Sequence, residues 1–247
     1  FLFFWFASAK IGAVIVPTNP LSPPDELSYP LQHSECILSV TESGLLPTVK
    51  SIFGNCPKLK KVIVCGEGTY SENLISFDKF ILKLPSTLPE FDINPLDDAA
   101  VMYTSGTTAR PKGVMVTHAN YIYAGEVVSK VMRLTPADRH LVVLPLFHGN
   151  AQYYSFMTSL VVGCSVAMMS KFSASKYMTQ ASNYGCTVAS LFAAPIRMIL
   201  AQQQSPRDKQ HKLRLAIFAQ SISETQLCDW SDRFDIPLMQ IYGMTET

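Results

Sequence analysis

Four Ser/Thr hydroxyls and a lysine crowd into YTSGTTARPKG, residues 103–113 of this 247-residue chain. Thr104, Ser105, Thr107 and Thr108 surround Gly106, and Lys112 follows Pro111 at the far side. Hydroxyls and backbone N–H groups donate to phosphate oxygens, an ammonium adds a point charge, and glycine lets backbone approach closely. The chemistry this favours is grip on a polyphosphate. Lys112 falls at the Walker spacing from Gly106, but Pro111 replaces the second Walker glycine and Gly113 the Ser/Thr that would hold magnesium. A Walker-type NTPase is thereby set aside. Taken alone, the string also reads as a solvated Ser/Thr turn.

Two more polar segments have the same placement. PLFHGN (145–150) carries His148 and Gly149, and YGMTET (242–247) carries Tyr242, Gly243, Thr245 and Glu246. The three segments directly follow the apolar runs AAVM, LVVL and PLMQI. In open parallel sheets a ligand lies outside the carboxyl ends of the strands, so the expectation is one crevice shared by all three. Glu246 offers the hard oxygen donor that Mg²⁺ prefers. His148, taken in isolation, reads first as a hydrogen-bonded structural residue.

The elements that must carry these segments alternate. Apolar runs near 13, 36, 61, 99, 141, 165, 187, 213 and 237 predict strands, and helical patterns cover about 118–132, 151–162, 173–184, 194–203 and 223–234. Thr117 stands at an N-cap position, and Gly163 and Gly185 where helices would end. The pattern predicts an α/β fold of parallel sheets covered by helices. FLFFWFASAKIGAVIVP reads as a buried helix, Phe1 to about Ile11, then a strand Ala13–Val16. Lys10, Gly12 and Pro17 interrupt the run before it reaches membrane-spanning length, so no transmembrane segment is expected. KLPSTLPEFDINPLDD holds Pro85, Pro89 and Pro95 without periodicity, which divides the chain into 1–84, a linker 85–98, and 99–247.

Hydrophobic residues make up 48% and charged residues 16%, which excludes a disordered chain. Lys+Arg total 20 against 19 Asp+Glu, a net charge of +1, so no basic field exists to bind nucleic acid. The six cysteines are scattered without a C-x-x-C pair, as in free thiols of a reducing, cytoplasmic compartment.

YTSGTTARPKG resembles the signature loop of the adenylate-forming superfamily, usually Y-T-S-G-T-T-G-x-P-K-G, with Ala109 in place of a glycine. YGMTET resembles its Y-G-x-T-E motif, PLFHGN its P-L-F-H motif, and the first twenty residues the segment ending in V-P-x-N-P. Four matches in order span essentially the whole chain, and the loop with PLFHGNAQ looks closest to bacterial carnitine/crotonobetaine and medium-chain acyl-CoA ligases. The resemblance implies an acid–thiol ligase that makes an acyl-adenylate and pyrophosphate from ATP and a small carboxylic acid, then an acyl-CoA and AMP. It implies that Thr104, Ser105, Gly106, Thr107, Thr108 and Lys112 cradle the β- and γ-phosphates, Thr245 the α-phosphate, and Glu246 a Mg²⁺. Tyr242 and Gly243 would flank the adenine, and His148, Gly149, Gln152 and Ser190 the carboxylate substrate. FAQSIS (218–223) departs from the family's Gly-Gly-Ala stretch at Ala219, Gln220 and Ser221. The family continues into a small C-terminal domain with a catalytic lysine, so the chain is expected to be the inactive core of a longer ligase. The alternative is a nucleotide-binding module that keeps the fold without the chemistry.

Overall fold

A computed structural model describes residues 1–68, 70, 73–104 and 110–246. The chain forms two compact units, Phe1–Thr117 and His118–Thr247. The division thus falls after Thr117, while the proline-rich stretch 85–97 runs without helix or strand.

In the first unit, α1 (Leu2–Lys10) forms as expected, but it is not a buried helix: only Trp5 is buried, and Phe3 is exposed. The predicted strand 13–16 shrinks to one bridge. Ile15 N–H donates to Ala99 (3.0 Å) and its carbonyl accepts from Val101 (2.9 Å). Two helices without a sequence forecast come next, α2 (Pro24–His33) and α3 (Leu46–Ile52). Pro24 starts α2 with its fixed φ, and Asp25 and Glu26 complement the helix dipole. Leu27 and Leu31, one turn apart, join Leu46, Val49 and Ile52 over Val62 and Val64. Those two valines belong to β2 (Lys61–Cys65), the middle of a parallel sheet flanked by β1 (Leu38–Glu42) and β3 (Leu74–Ser76). Helix α4 (Phe77–Ile81) begins directly after β3.

β4 (Asp98–Thr104) then pairs antiparallel with β5 (Lys112–Thr117), in register Tyr103 opposite Gly113 and Thr104 opposite Lys112. This corrects the expectation that 103–113 follows a strand of a parallel sheet. Seven residues, 105–111, separate the two strands in sequence. A parallel crossover needs about a dozen residues or more, which this span cannot supply.

The second unit holds a five-stranded parallel sheet in the order β10-β9-β8-β6-β7. The strands are β6 (Arg139–Val142), β7 (Ser165–Met168), β8 (Val188–Phe192), β9 (Leu215–Ala219) and β10 (Leu238–Gln240). Alternate residues of β9 feed two cores. Ala216 and Phe218 pack with Leu191, Ile196, Trp230 and Phe234, while Leu215 and Ile217 pack with Val188 and Met132. Both sheet faces are covered, which is why these strands read as continuous apolar runs. The helices are α5 (His118–Val131), α6 (Thr158–Val162), α7 (Tyr177–Asn183), α8 (Ala193–Leu200) and α9 (Glu224–Phe234). α6 closes on Gly163 at φ 78°, and α9 opens with a capping box between Ser223 and Gln226. Among the described residues, no helix is long and apolar enough to cross a membrane.

Candidate active site

The order of the second sheet identifies its ligand edge. From β6 the chain steps outward to β7, then returns past β6 to β8 and continues through β9 to β10. The winding reverses between β6 and β8, and a crevice opens at such a point outside the carboxyl ends. Pro145–Asn150 leaves β6 there, Phe192 ends β8, Ala219–Ser221 leaves β9 and Tyr242–Glu246 leaves β10. Two of the three predicted segments therefore share this edge.

His148 stands at the switch point, edge-on to Phe192 (centroids 6.2 Å apart, planes at 89°) and tilted on Phe147 (4.2 Å). The residue is exposed. Partial burial among those rings disfavours the imidazolium and holds its pKa below the ordinary histidine value. The turn beneath it is fixed by hydrogen bonds. His148 N–H donates to the Pro145 carbonyl (3.1 Å), and Gln152 N–H to the His148 carbonyl (3.2 Å).

Gln152 is fully buried, and its carboxamide is used within the protein. Nε2 donates to the Leu146 carbonyl (2.6 Å), and Oε1 accepts from the buried Tyr121 hydroxyl (2.6 Å). Ser190 is buried likewise, donating to Asn150 Oδ1 (2.8 Å), whose Nδ2 reaches the Leu191 carbonyl (3.4 Å). The structure thus places Gln152 and Ser190 beneath the 146–152 turn as braces, each with its polar atoms engaged. Gly149 caps the π-helical stretch Asn150–Met157, a conformation found disproportionately at functional sites.

That stretch presents Tyr153 and Tyr154 to the segment after β10. A Cβ on Gly243 would collide with the Tyr154 hydroxyl, so glycine is what lets this backbone pass. Burial first, then Tyr154 and the Glu246 carboxylate, push the Tyr153 phenol above its ordinary pKa, which puts Glu246 within electrostatic reach of the π-helical turn. Tyr242 is 87% exposed, its ring available as a platform, and Glu246 is exposed. Thr245 is half-buried between them. After β9, Gln220 holds φ 74°, the left-handed region that glycine adopts freely, and its carbonyl accepts from Gln240 Nε2 (2.9 Å). That conformation costs a non-glycine residue about 1 kcal/mol or more.

The predicted phosphate loop belongs to the first unit. Ser105, Gly106, Thr107 and Thr108 lie outside the described residues; Thr104 and Lys112 face each other across the two strands, with Lys112 exposed. A cavity of about 540 Å³ in the second unit is lined by α7, the end of α8 and residues 202–210, among them Asn183, Gln202 and Arg207. It holds none of the predicted site residues.

The family model for AMP-binding enzymes matches residues 1–247. The chain belongs to the AMP-binding enzymes. Crotonobetaine/carnitine–CoA ligases of Salmonella heidelberg and Shigella sonnei are each 34% identical to it over 250 residues, which is all of this chain and 48% of theirs. The anthranilate CoA ligase AuaEII, solved in complex with anthranoyl-AMP, superposes at TM-score 0.87 over 95% of this chain and 46% of its own, with 25% identity. ATP-bound MatB from Rhodopseudomonas palustris shares the fold at TM-score 0.84, 24% identity, over 100% of this chain and 48% of its own. This AMP-binding chain therefore spans about half the length of the relatives it matches.

Sequence reasoning passed over Tyr121 behind the 146–152 turn, and Tyr29 and His33 beside β4 and β5, while Tyr153 and Tyr154 end the string PLFHGNAQYY expected to line the acyl pocket. For Tyr29 and His33 a signal was present, two rings at i and i+4. The Gly243 contact makes a prediction. Gly243→Ala should cost about 1–3 kcal/mol by overpacking against Tyr154. Adding Tyr154→Phe, which removes the colliding oxygen, should recover most of the loss in thermal melts. Equal stability of all three proteins would refute the contact.

Proposed function

We propose that this chain is the adenylation core of an AMP-forming carboxylate–CoA ligase. The observation that supports it most is the shared carboxyl edge, where His148 stands at the switch point and Tyr242–Glu246 leaves β10, in a chain of the AMP-binding family. A carboxylate oxygen of the acid attacks the α-phosphorus of ATP, the bond to the β-phosphate oxygen breaks, and pyrophosphate leaves. A thiol sulfur, that of coenzyme A, then attacks the acyl carbonyl and AMP leaves, the thiol proton passing to solvent or a base.

Each residue has a bounded task. Thr104 and Lys112, with Ser105, Gly106, Thr107 and Thr108 between them, hold the β- and γ-phosphates. Thr245 donates to the α-phosphate, Tyr242 supports the adenine and Gly243 gives the backbone its path. His148 and Gly149 line the acid's place, with Gln152 and Ser190 bracing them from beneath. With its pKa held low, His148 is a neutral donor and acceptor at pH 7 rather than a second cation. Glu246 is an exposed hard-oxygen donor, and among the described residues no group of three or more potential metal ligands exists. One carboxylate suits Mg²⁺, which is usually shared with substrate phosphates, and bound there it would offset negative charge. A reducing cytoplasmic setting accords with six unpaired cysteines.

The test is pyrophosphate release from Mg-ATP by the full-length protein, across carboxylic acids that include crotonobetaine, carnitine and anthranilate. Release that depends on one acid class is expected. ATP binding with silence across the panel would leave a binding module in place of a ligase.

A further inference from the structure

Tyr103, next to Thr104, and Arg110, two residues before Lys112, both meet one face of α2. Tyr29 and His33 stand at i and i+4 on its last turn, their rings stacked at 5.3 Å and 30°. His33 Nδ1 shares a 2.7 Å hydrogen bond with the hydroxyl of Tyr103, the residue before Thr104. The Tyr103 ring meets His33 (5.8 Å, 79°) and Tyr29 (6.0 Å, 78°) edge-on. The Arg110 guanidinium lies over the Tyr29 ring, 5.4 Å from its centre. Opposite Tyr103 sits Gly113, where a Cβ would lie 2.8 Å from Val101 and 3.3 Å from the Tyr103 ring. The glycine after Lys112 therefore leaves the room in which the Tyr103 ring reaches α2.

We propose that Tyr29 and His33 are positioning residues for the nucleotide triphosphate, fixing Thr104 through its neighbour Tyr103 and Lys112 through the nearby Arg110. This rests on the reading of 103–113 as the phosphate loop. Binding groups whose backbone is fixed before the ligand arrives lose less conformational freedom on binding. The contacts lie at the surface, His33 and Arg110 being exposed and Tyr29 half-buried, so they contribute little to the core. Their effect falls on the placement of Thr104 and Lys112, which face each other across the two strands.

The experiment uses the full-length protein with Tyr29→Ala, His33→Ala, Gly113→Ala and Tyr29→Phe. One exposed cation–π contact or one hydrogen bond corresponds to about a threefold to tenfold change. The KM for ATP should rise by that factor in the three disrupting variants, with kcat and the KM for the acid within about twofold. Tyr29→Phe keeps the ring and should behave as wild type. Tryptic cleavage after Lys112, followed by mass spectrometry without ATP, should quicken in the same three and not in Tyr29→Phe. An unchanged KM for ATP beside a wild type that binds ATP would overturn the clamp alone. So would parallel rises in both KM values with a lowered melting temperature, since that is general loosening. A wild type that binds no ATP would remove the phosphate-loop reading, and the clamp with it.

Discussion

Lys112→Ala should lower acid-dependent pyrophosphate release about a hundredfold, within the 2–4 kcal/mol typical of removing one preorganised charged donor from a transition state. The side chain opens β5 opposite Thr104, so a strand fixes its backbone while the ammonium stays exposed. Truncation there removes charge without opening the core, and the melting temperature should hold. Lys112→Arg keeps the charge but spreads it over a planar fork, so recovery should be partial. Glu246→Gln should act differently. It keeps the shape and loses the anion, and the Mg²⁺ concentration for half-maximal rate should rise with a smaller change at saturation. Full activity in both Lys112→Ala and Glu246→Gln would refute the assignment of the nucleotide to these segments.

Sequence makes legible the features whose signals are local. The strands of the second sheet are visible because burial on both faces turns Leu141–Val143 and Leu215–Phe218 into unbroken apolar runs, and leaves Ser190 as the one polar residue in Val188–Leu191. Ser223, Gly163 and the helix spans they bound are written in single residue types. β5 escapes a sequence reading because KGVMVT is also the tail of a motif, and its pairing with β4 is a register that no local pattern records. α2 is hidden by Pro30 inside it, and α3 by its length of seven residues. The site divides the same way. Motif spacing marks His148 and Tyr242–Glu246 as candidates, and both segments leave strands of the second sheet at one edge. Gln152 and Ser190, expected to touch substrate, lie under the turn, since whether a polar side chain points out or in depends on packing from α5 and β8. Tyr29 and His33 lie about seventy residues from Tyr103, a separation across which sequence carries no geometric signal.

The other large effect is expected at the opposite, amino edge of the second sheet. Asp138 is 5% exposed and accepts hydrogen bonds from Arg214 Nε (3.0 Å) and Nη2 (2.9 Å), the Thr187 hydroxyl (2.6 Å) and Thr135 N–H (2.9 Å). Arg214 also donates to the carbonyls of Met132 and Arg133. One carboxylate thus joins the entries to β6, β8 and β9 with the end of α5. Burial alone would raise its pKa. The bonds from Arg214, Thr187 and Thr135, with the Arg214 charge, outweigh that and hold it far below the usual carboxylate range. Because the folded pKa lies below the unfolded one, this stabilisation is complete above the unfolded value near 4 and fades as pH falls below it. Asp138→Asn should cost about 3 kcal/mol, the low end for breaking a buried pair, since Arg214 still reaches water. Its acid limb should be flatter than that of wild type. In a double-mutant cycle with Arg214→Met the losses should fall well short of additive. Additive losses, or an unchanged acid limb, would show that Asp138 is an ordinary surface carboxylate. The four-residue strand β6 runs from this anchor to the turn that carries His148, so the register set at Asp138 is the one in which His148 meets Phe192.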